Sequence, residues 1–270
     1  MFTADAKTHQ RICALMQRVL VVGAQPASSK LLADLLRDIC QCQIWTASET
    51  PRALAVAEGV EPHVVFVDHG AGLDGLGFTR ALRRSDVGCR KAPVIMVSSE
   101  ATAAVIIGAR DAGVHEFLRK PFTIRDLTRR LEAVAARPRD WVEGIGYVGP
   151  DRRRFNSGDY SGPLKRRVDH AVTPDEARVQ QALKILKAAL AAIEIDPRQA
   201  LRAMRAQAEI LVNSQRACAD PALRGLATKL GDGLSKLDPV TLRRAQVEGL
   251  VLPLLDRLPA EAAQPRRSAA

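Results

Sequence analysis

The sequence predicts a doubly wound α/β domain with a five-stranded parallel sheet, followed by a linker and an all-α C-terminal helical bundle. Three observations predict this class. Residues 18–136 alternate short apolar runs with amphipathic stretches, residues 137–172 are rich in Gly, Pro, Arg and Ser, and later residues carry repeated helix-start signals. The predicted organisation is an N-terminal extension (1–17), an α/β domain (18–136), a basic linker (137–172), a four-helix domain (173–259) and a disordered tail (260–270).

Five short apolar runs are predicted as strands, and their apolar character on both faces is typical of a buried parallel sheet. They are Val19–Val22, the weaker run Cys42–Trp45, Val64–Val67, Val94–Val97 and Glu116–Leu118. The stretches between and after them have helical spacing of apolar residues. These predicted helices are Ser28–Asp38, Thr50–Ala57, Gly75–Arg83, Ala101–Ala112 and Ile124–Ala135.

The last part of the chain contains four pairs in which a capping residue precedes proline, and each pair predicts a helix start. The pairs are Thr173-Pro174, Asp196-Pro197, Asp220-Pro221 and Asp238-Pro239. Glu176 stands where it would complete a capping box with Thr173. Leucine-rich stripes follow each start, and they favour an antiparallel bundle that serves protein interaction or dimerisation.

Composition narrows the class of protein. The chain has 270 residues, enough for about two domains. Because the sequence has no apolar run of about 18 residues and no secretory leader pattern, we expect a cytoplasmic protein without a membrane span. The five cysteines are odd in number and lack paired spacing, so we expect ordinary thiols rather than a disulfide framework or a zinc site.

Polar residues that suit phosphoryl transfer follow three of the predicted strands. Asp68 and Ser98 come directly after the third and fourth apolar runs, and Lys120 follows the fifth run after one further residue. In a doubly wound sheet the carboxyl ends of the strands form the binding edge, so these side chains are expected to converge. A carboxylate can then attack a phosphoryl group while the hydroxyl and the ammonium bind its oxygens.

Residues 18–136 resemble the receiver domain of two-component response regulators, a flavodoxin-like fold and the family of the chemotaxis regulator. The matching segments are Asp68, Leu73-Asp74-Gly75-Leu76, Pro93–Ser98, Asp111–Val114 and Phe117–Phe122. The resemblance implies that Asp68 is the phospho-acceptor, Ser98 the switch hydroxyl, Phe117 the switch aromatic and Lys120 the phosphate-sensing ammonium. It also implies a cis peptide bond between Lys120 and Pro121.

The resemblance further implies a Mg²⁺ cofactor, and here the sequence departs from the family. An acidic pair that holds the metal follows the first strand in the family, whereas Gly23 and Ala24 stand at that position here. Asp68 would be the one carboxylate left for the metal, so we expect weak Mg²⁺ binding. The loop after Asp68 also lacks the usual proline.

The resemblance implies a response regulator of a phosphorelay rather than an enzyme, with a sensor histidine kinase or phosphotransfer protein upstream. We expect a downstream protein to bind the helical domain, which can also dimerise. No histidine falls in its four predicted helices, so we do not expect the bundle to pass on a phosphoryl group. No compact helix-turn-helix signature is present, so we do not expect it to bind nucleic acid. Two alternatives stay open. One is a phosphorylation-independent adaptor; the other is binding of a cyclic dinucleotide or nucleic acid by Arg152, Arg153 and Arg154.

Overall fold

The central element of the fold is a parallel sheet of five strands in the order β2-β1-β3-β4-β5. The computed structural model describes residues 6–136, 138–152 and 173–258. The predicted tail and most of the predicted linker lie outside them. The strands are β1 Arg18–Val22, β2 Gln43–Ala47, β3 Val64–His69, β4 Val94–Ser98 and β5 Glu116–Arg119.

Helices cover both faces of this sheet, so the predicted fold class is confirmed. A 3₁₀ turn spans Gly88–Lys91, and the α-helices are α1 Ala6–Leu15, α2 Pro26–Ile39, α3 Thr50–Val60, α4 Gly75–Arg84, α5 Ala103–Ala112 and α6 Ile124–Ala136. Both ends of α5 are capped. The Thr102 hydroxyl accepts from the backbone N–H of Val105, and Gly113 ends the helix at φ 93°. Each face of the sheet buries its own apolar cluster.

The chain divides into two compact units. The first comprises residues 1–142 and 147–162, and the second comprises residues 143–146 and 163–270. The helix α1 is part of the first unit, because Ile12 and Met16 are fully buried in the cluster that also contains Leu127 and Leu131 of α6.

The cysteine expectation is wrong for one pair. Cys13 on α1 and Cys40 at the end of α2 form a disulfide, with their Cα atoms 5.4 Å apart. Cys42, Cys89 and Cys218 are free thiols. The sequence could not indicate the pairing because nothing in it shows that α1 folds back toward the carboxyl end of α2.

The linker expectation is also wrong for part of its length. The strands β6 Trp141–Glu143 and β7 Val148–Pro150 form a two-stranded sheet. In the first unit the Trp141 ring lies 5.3 Å from the guanidinium carbon of Arg83, a cation–π contact, and the Tyr147 hydroxyl donates to the Pro150 carbonyl. Aromatic packing on a buried arginine therefore orders residues whose composition is typical of a linker.

That arginine lies at the centre of a buried polar cluster. The Arg83 side chain donates to the carbonyl oxygens of Gly113, Arg90 and Ala92, and its Nη2 lies 3.2 Å from His115 Nδ1. Burial lowers the pKa of Arg83 to about 9. The backbone N–H of Val94 also donates to His115 Nδ1, so two donors hold this nitrogen in its unprotonated form.

The second unit consists of helices with one short inserted turn. They are α7 Pro174–Ala192, α8 Pro197–Val212, α9 Gln215–Ala219, α10 Pro221–Ser235 and α11 Arg244–Leu255. Thr173, Asp196 and Asp220 cap α7, α8 and α10 with their side-chain oxygens, as predicted. The carboxylate of Glu176 pairs with Arg216 at 2.6 Å.

The fourth predicted start is wrong. Asp238 accepts from the backbone N–H of Val240 at 2.6 Å in a turn, and α11 begins only at Arg244. The Gln246 side chain accepts from the backbone N–H of Arg243 and caps the helix instead. An aspartate before proline forms a turn as readily as a helix start, so the pattern alone did not decide between them.

Residues 143–146 belong to the core of this helical unit. Gln199 Nε2 donates to Glu143 Oε1 at 2.9 Å and to the Gly144 carbonyl at 3.1 Å, and Gln207 Nε2 donates to the Glu143 carbonyl at 3.1 Å. Ile145 packs against the apolar cluster of the bundle. Across the described ranges, no helix combines the length and the apolar character needed to cross a bilayer.

We predict that Ile12→Ala destabilises the first unit by about 2–4 kcal/mol, because it removes a fully buried side chain and leaves a cavity beneath α1. Both tryptophans of the chain, Trp45 and Trp141, lie in this unit, so tryptophan fluorescence during urea unfolding reports on it. Gln10→Ala, at an exposed position of the same helix, is the matched control. Equal midpoints for the two variants would contradict the packing of α1.

We predict that the first unit loses stability as the pH falls below about 6.5, in part through His115. Burial, and then the charges of Arg83 and Arg139, hold the pKa of His115 well below its usual range. Below pH ~6.5 the unfolded chain therefore binds this proton more readily than the folded chain. The free energy of unfolding then falls by up to ~1.4 kcal/mol per pH unit through this one group. His115→Asn, which offers an acceptor and does not titrate, should show a shallower pH dependence between pH 6.5 and 5; parallel curves would refute the assignment.

Candidate functional site

Asp68 lies near the carboxyl end of β3, beside the point where the order of the strands reverses. One carboxylate oxygen, Oδ2, lies 2.8 Å from Lys120 Nζ, and the other, Oδ1, accepts from the backbone N–H of His69 at 3.1 Å. The two side chains of the ion pair are 26% and 30% exposed. The structure therefore brings Asp68 and Lys120 together at a solvent-accessible position.

Lys120 is positioned by the end of β5. Its backbone N–H donates to the Ser98 carbonyl at 2.8 Å, which continues the pairing of β5 with β4 by one residue. The peptide bond from Lys120 to Pro121 is cis, as the family resemblance implied. The Lys120 ammonium group reaches the Asp68 carboxylate near the end of β3.

Ser98 bonds the backbone beside the pair, and Phe117 lies in the apolar core. The Ser98 hydroxyl donates to the His69 carbonyl at 2.7 Å and accepts from the backbone N–H of Glu100. Phe117 is buried in the apolar cluster that also contains Met96 and Ala109. The hydroxyl thus bonds the loop that follows Asp68 instead of the Asp68 carboxylate.

The loop after Asp68 passes very close to the backbone of that residue. A Cβ atom at Gly75 would lie 2.5 Å from the Asp68 carbonyl oxygen, so this position requires glycine. Gly70 and Leu73 exchange backbone hydrogen bonds, and Asp74 caps α4 by accepting from the backbone N–H of Gly77. These contacts fix the loop that a phosphoryl group would approach.

His69 is not among the predicted site residues, although it lies beside Asp68. Its side chain is only 17% exposed, and its Nδ1 lies 3.9 Å from Asp74 Oδ1, beyond hydrogen-bond distance. Its backbone groups bind both Asp68 and Ser98. The sequence offered one signal for these contacts, its position directly after Asp68.

Gly23 and Ala24 lie where the family places its acidic pair. A Cβ atom at Gly23 would lie 3.5 Å from Asp68 Cβ and 2.7 Å from the Ser29 hydroxyl, so this backbone faces the carboxylate. Mg²⁺ is usually held by one or two carboxylates together with waters. Here the Asp68 carboxylate is already paired with Lys120, and within the described segments Asp68 belongs to no cluster of three or more His, Cys, Asp or Glu side chains that could hold a metal ion. The residues present do not fit a magnesium site.

A cavity of about 260 Å³ opens beside the ion pair. Apolar side chains of α2 and β3, among them Leu32 and Phe66, form its walls together with Phe122, and Asp68 and Lys120 line it. Leu31, which also lines it, is 62% exposed. Sequence reasoning could not predict this space, because it depends on the distance between α2 and the sheet.

Arg152 is the one member of the basic triplet that the structure describes. Its guanidinium lies 4.5 Å from the centre of the Tyr147 ring, and its Nη1 lies 3.1 Å from Asp111 Oδ1. Hydrogen bonds from Arg110 and then from Arg152 lower the pKa of Asp111. Arg153 and Arg154 lie outside the described residues, so anion binding by the triplet stays a prediction.

A family model described as "Response regulator receiver domain" matches residues 19–132. The probable chemotaxis protein CheY of Rhizobium etli is 30% identical over 118 residues, which cover 43% of this chain and 91% of that protein. The chain belongs to the response regulator receiver family. This receiver is also similar to the chemotaxis protein CheY of Pseudomonas aeruginosa, with 29% identity over 44% of this chain and 97% of that protein. The solved structure of chemotaxis protein CheY4 from Vibrio cholerae matches 44% of this chain and 98% of that one, with 24% identity and a TM-score of 0.41.

We predict that the receiver binds Mg²⁺ weakly and that Gly23→Asp combined with Ser29→Ala binds it about tenfold more tightly. A carboxylate ~4 Å from a divalent cation contributes on the order of 2 kcal/mol even in water, more than a tenfold gain requires. Ser29→Ala is included because the Ser29 hydroxyl occupies the space that a side chain at position 23 needs. Isothermal titration calorimetry gives the affinities.

Ser29→Ala alone is the matched control, and it should bind Mg²⁺ as weakly as the wild-type protein. An affinity of the double variant no greater than that of this control would show that position 23 does not face the metal site.

Proposed function

We propose that the protein is a response regulator of a two-component phosphorelay, in which Asp68 accepts a phosphoryl group and the helical unit provides the output. The observation that carries this proposal is the 2.8 Å contact between Asp68 Oδ2 and Lys120 Nζ in a member of the receiver family. A carboxylate that is partly open to solvent and beside an ammonium group is suited to nucleophilic attack on phosphorus.

The chemistry assigned to the site is a single displacement. A carboxylate oxygen of Asp68 forms the new bond to phosphorus, while the bond from phosphorus to a histidine nitrogen or a small acyl donor breaks. Lys120 balances the charge on the phosphoryl oxygens, since it lies within contact distance of the attacking group. No step is assigned to Mg²⁺, because the donor set does not fit it.

Ser98 and Phe117 are proposed as the residues that respond to the modified Asp68. The Ser98 hydroxyl bonds the carbonyl of His69, whose N–H bonds Asp68, so a change at the carboxylate reaches β4 through one residue. Phe117 lies on β5 among the side chains packed against β4 and α5.

The partners proposed for this activity are a sensor histidine kinase or a phosphotransfer protein as donor, and a downstream protein that binds the helical unit. We place the protein in the cytoplasm, where such donors act. The apolar cluster of the bundle is formed by its own helices and by Ile145, so any partner would bind the outer faces of the helices.

The test is phosphorylation with acetyl phosphate, followed by intact mass measurement with and without Mg²⁺. We expect wild-type protein to gain one phosphoryl group, slowly and with little dependence on Mg²⁺, and Asp68→Asn to gain none. Lys120→Ala should slow the gain by about 10²-fold or more, the usual cost of removing one charge-stabilising donor. A gain of equal size in Asp68→Asn would place the modification elsewhere.

A second candidate function is a phosphorylation-independent adaptor. The observation that favours it is the packing of Ser29 against Gly23, which occupies the space of an acidic side chain. This function predicts no mass gain in the wild-type protein at any Mg²⁺ concentration. It also predicts that wild-type protein and Asp68→Asn retain the same bound proteins from a cell extract.

A further inference from the structure

We propose that His9, Cys13 and Cys40 form a redox-dependent zinc site, which binds the metal when the two cysteines are reduced and is closed when they form the disulfide. The three donor atoms lie within 4.8 Å of one another, and this is the one such His/Cys/Asp/Glu cluster found in the described segments of the chain. The site lies at the junction of α1 and α2, and the inference is independent of phosphorylation at Asp68.

The local structure brings these donors together for simple reasons. His9 and Cys13 are four residues apart on α1 and therefore share one face of that helix. Cys40 is the C-cap residue of α2, where its backbone N–H still donates to the Leu36 carbonyl. Burial of Ile12 between His9 and Cys13 holds α1 against the domain and keeps this face beside the end of α2.

The distance between the Cys13 sulfur and the His9 ring nitrogen suits a tetrahedral zinc ion. Zn–S bonds of about 2.3 Å and Zn–N bonds of about 2.0–2.1 Å at tetrahedral angles separate a thiolate and an imidazole by roughly 3.5 Å. Cys13 Sγ and His9 Nε2 lie 3.5 Å apart. The imidazole therefore already lies at the separation from Cys13 that a shared zinc ion would require.

The exposure of the three residues provides an entry path. Cys40 is buried, Cys13 is half-buried and His9 is exposed. A metal ion can therefore reach the thiolates from the solvent side, where the exposed His9 side chain lies beside Cys13. Three protein ligands leave the fourth position for water, and thiolate with imidazole is the donor set that favours zinc over Mg²⁺.

The two states are linked by thiol–disulfide exchange with a small-molecule disulfide such as oxidised glutathione. The more exposed thiol, Cys13, attacks as thiolate and releases one glutathione thiol; Cys40 then displaces the second, forming the Cys13–Cys40 bond. Two glutathione thiols form for each protein disulfide, so the electrons balance. Zinc binding to the reduced pair releases the two thiol protons instead.

Both states fasten α1 to α2, whereas the reduced and metal-free chain lacks this cross-link and keeps the apolar packing of Ile12. Cytoplasmic proteins rarely keep disulfides. In that compartment the zinc-bound state would be the one that secures the helix, and oxidation would release the metal without releasing the helix.

The test uses full-length protein, reduced with a phosphine, freed of reductant without oxygen and titrated with Co²⁺ as a spectroscopic probe for zinc. We expect tetrahedral cobalt absorption with a thiolate-to-cobalt band that saturates at one equivalent and disappears when Zn²⁺ is added. Protein oxidised with glutathione disulfide should give no band. Cys218→Ser, which removes an exposed and unrelated thiol, is the matched control and should titrate as wild type.

Cys13→Ser and Cys40→Ser should abolish the thiolate band. Loss of an outer-shell partner usually weakens metal binding by about 10–100-fold, so loss of a direct ligand in His9→Ala should weaken it by at least as much. His9 is exposed, so this variant keeps the test valid even if the cysteine variants fold poorly. No band in the reduced wild type, or a His9→Ala affinity equal to wild type, would overturn the zinc site and leave a disulfide only.

Discussion

The parallel pairing of β3 with both β1 and β4 is the constraint on which the receiver site depends. Val67 pairs with Val22, so Asp68 is level with Gly23, the first residue beyond β1. His69 pairs with Ser98, which explains why the Ser98 hydroxyl reaches the His69 carbonyl. Because both faces of these strands are buried, polar side chains can lie only at the edge where the strands end, and the register decides which of them meet.

The same constraint explains how much of this site could be predicted. A polar residue after an apolar run marks the end of a strand, so the positions of Asp68 and Lys120 followed from the sequence and agree with the observed ion pair. The direction of the Ser98 hydroxyl could not be predicted from the sequence. It depends on which residue of β3 pairs with Ser98 of β4. The space beside Lys120 depends on how far α2 stands from the sheet, which no sequence pattern reports.

Other parts of the fold were missed because long-range packing overrode composition. Trp141 and Tyr147 lie among residues typical of a linker, yet Trp141 packs on a buried arginine and the Tyr147 hydroxyl donates to the Pro150 carbonyl. That arginine is accommodated by three carbonyl oxygens and by the unprotonated nitrogen of His115, so its charge is solvated by backbone dipoles. The Asp238-Pro239 pair shows the opposite error. Its sequence predicted a helix start, but in the structure it forms a turn.

The attachment of residues 143–146 to the helical unit has a consequence for dividing the chain. A fragment that begins at the first predicted helix, Thr173, would lack Ile145 from its apolar cluster and would leave the side-chain amides of Gln199 and Gln207 without the oxygens they bind. Both amides are buried, so each would carry the cost of an unmade hydrogen bond. The helical unit is therefore discontinuous in sequence, and a cut at the apparent domain boundary would remove part of its core.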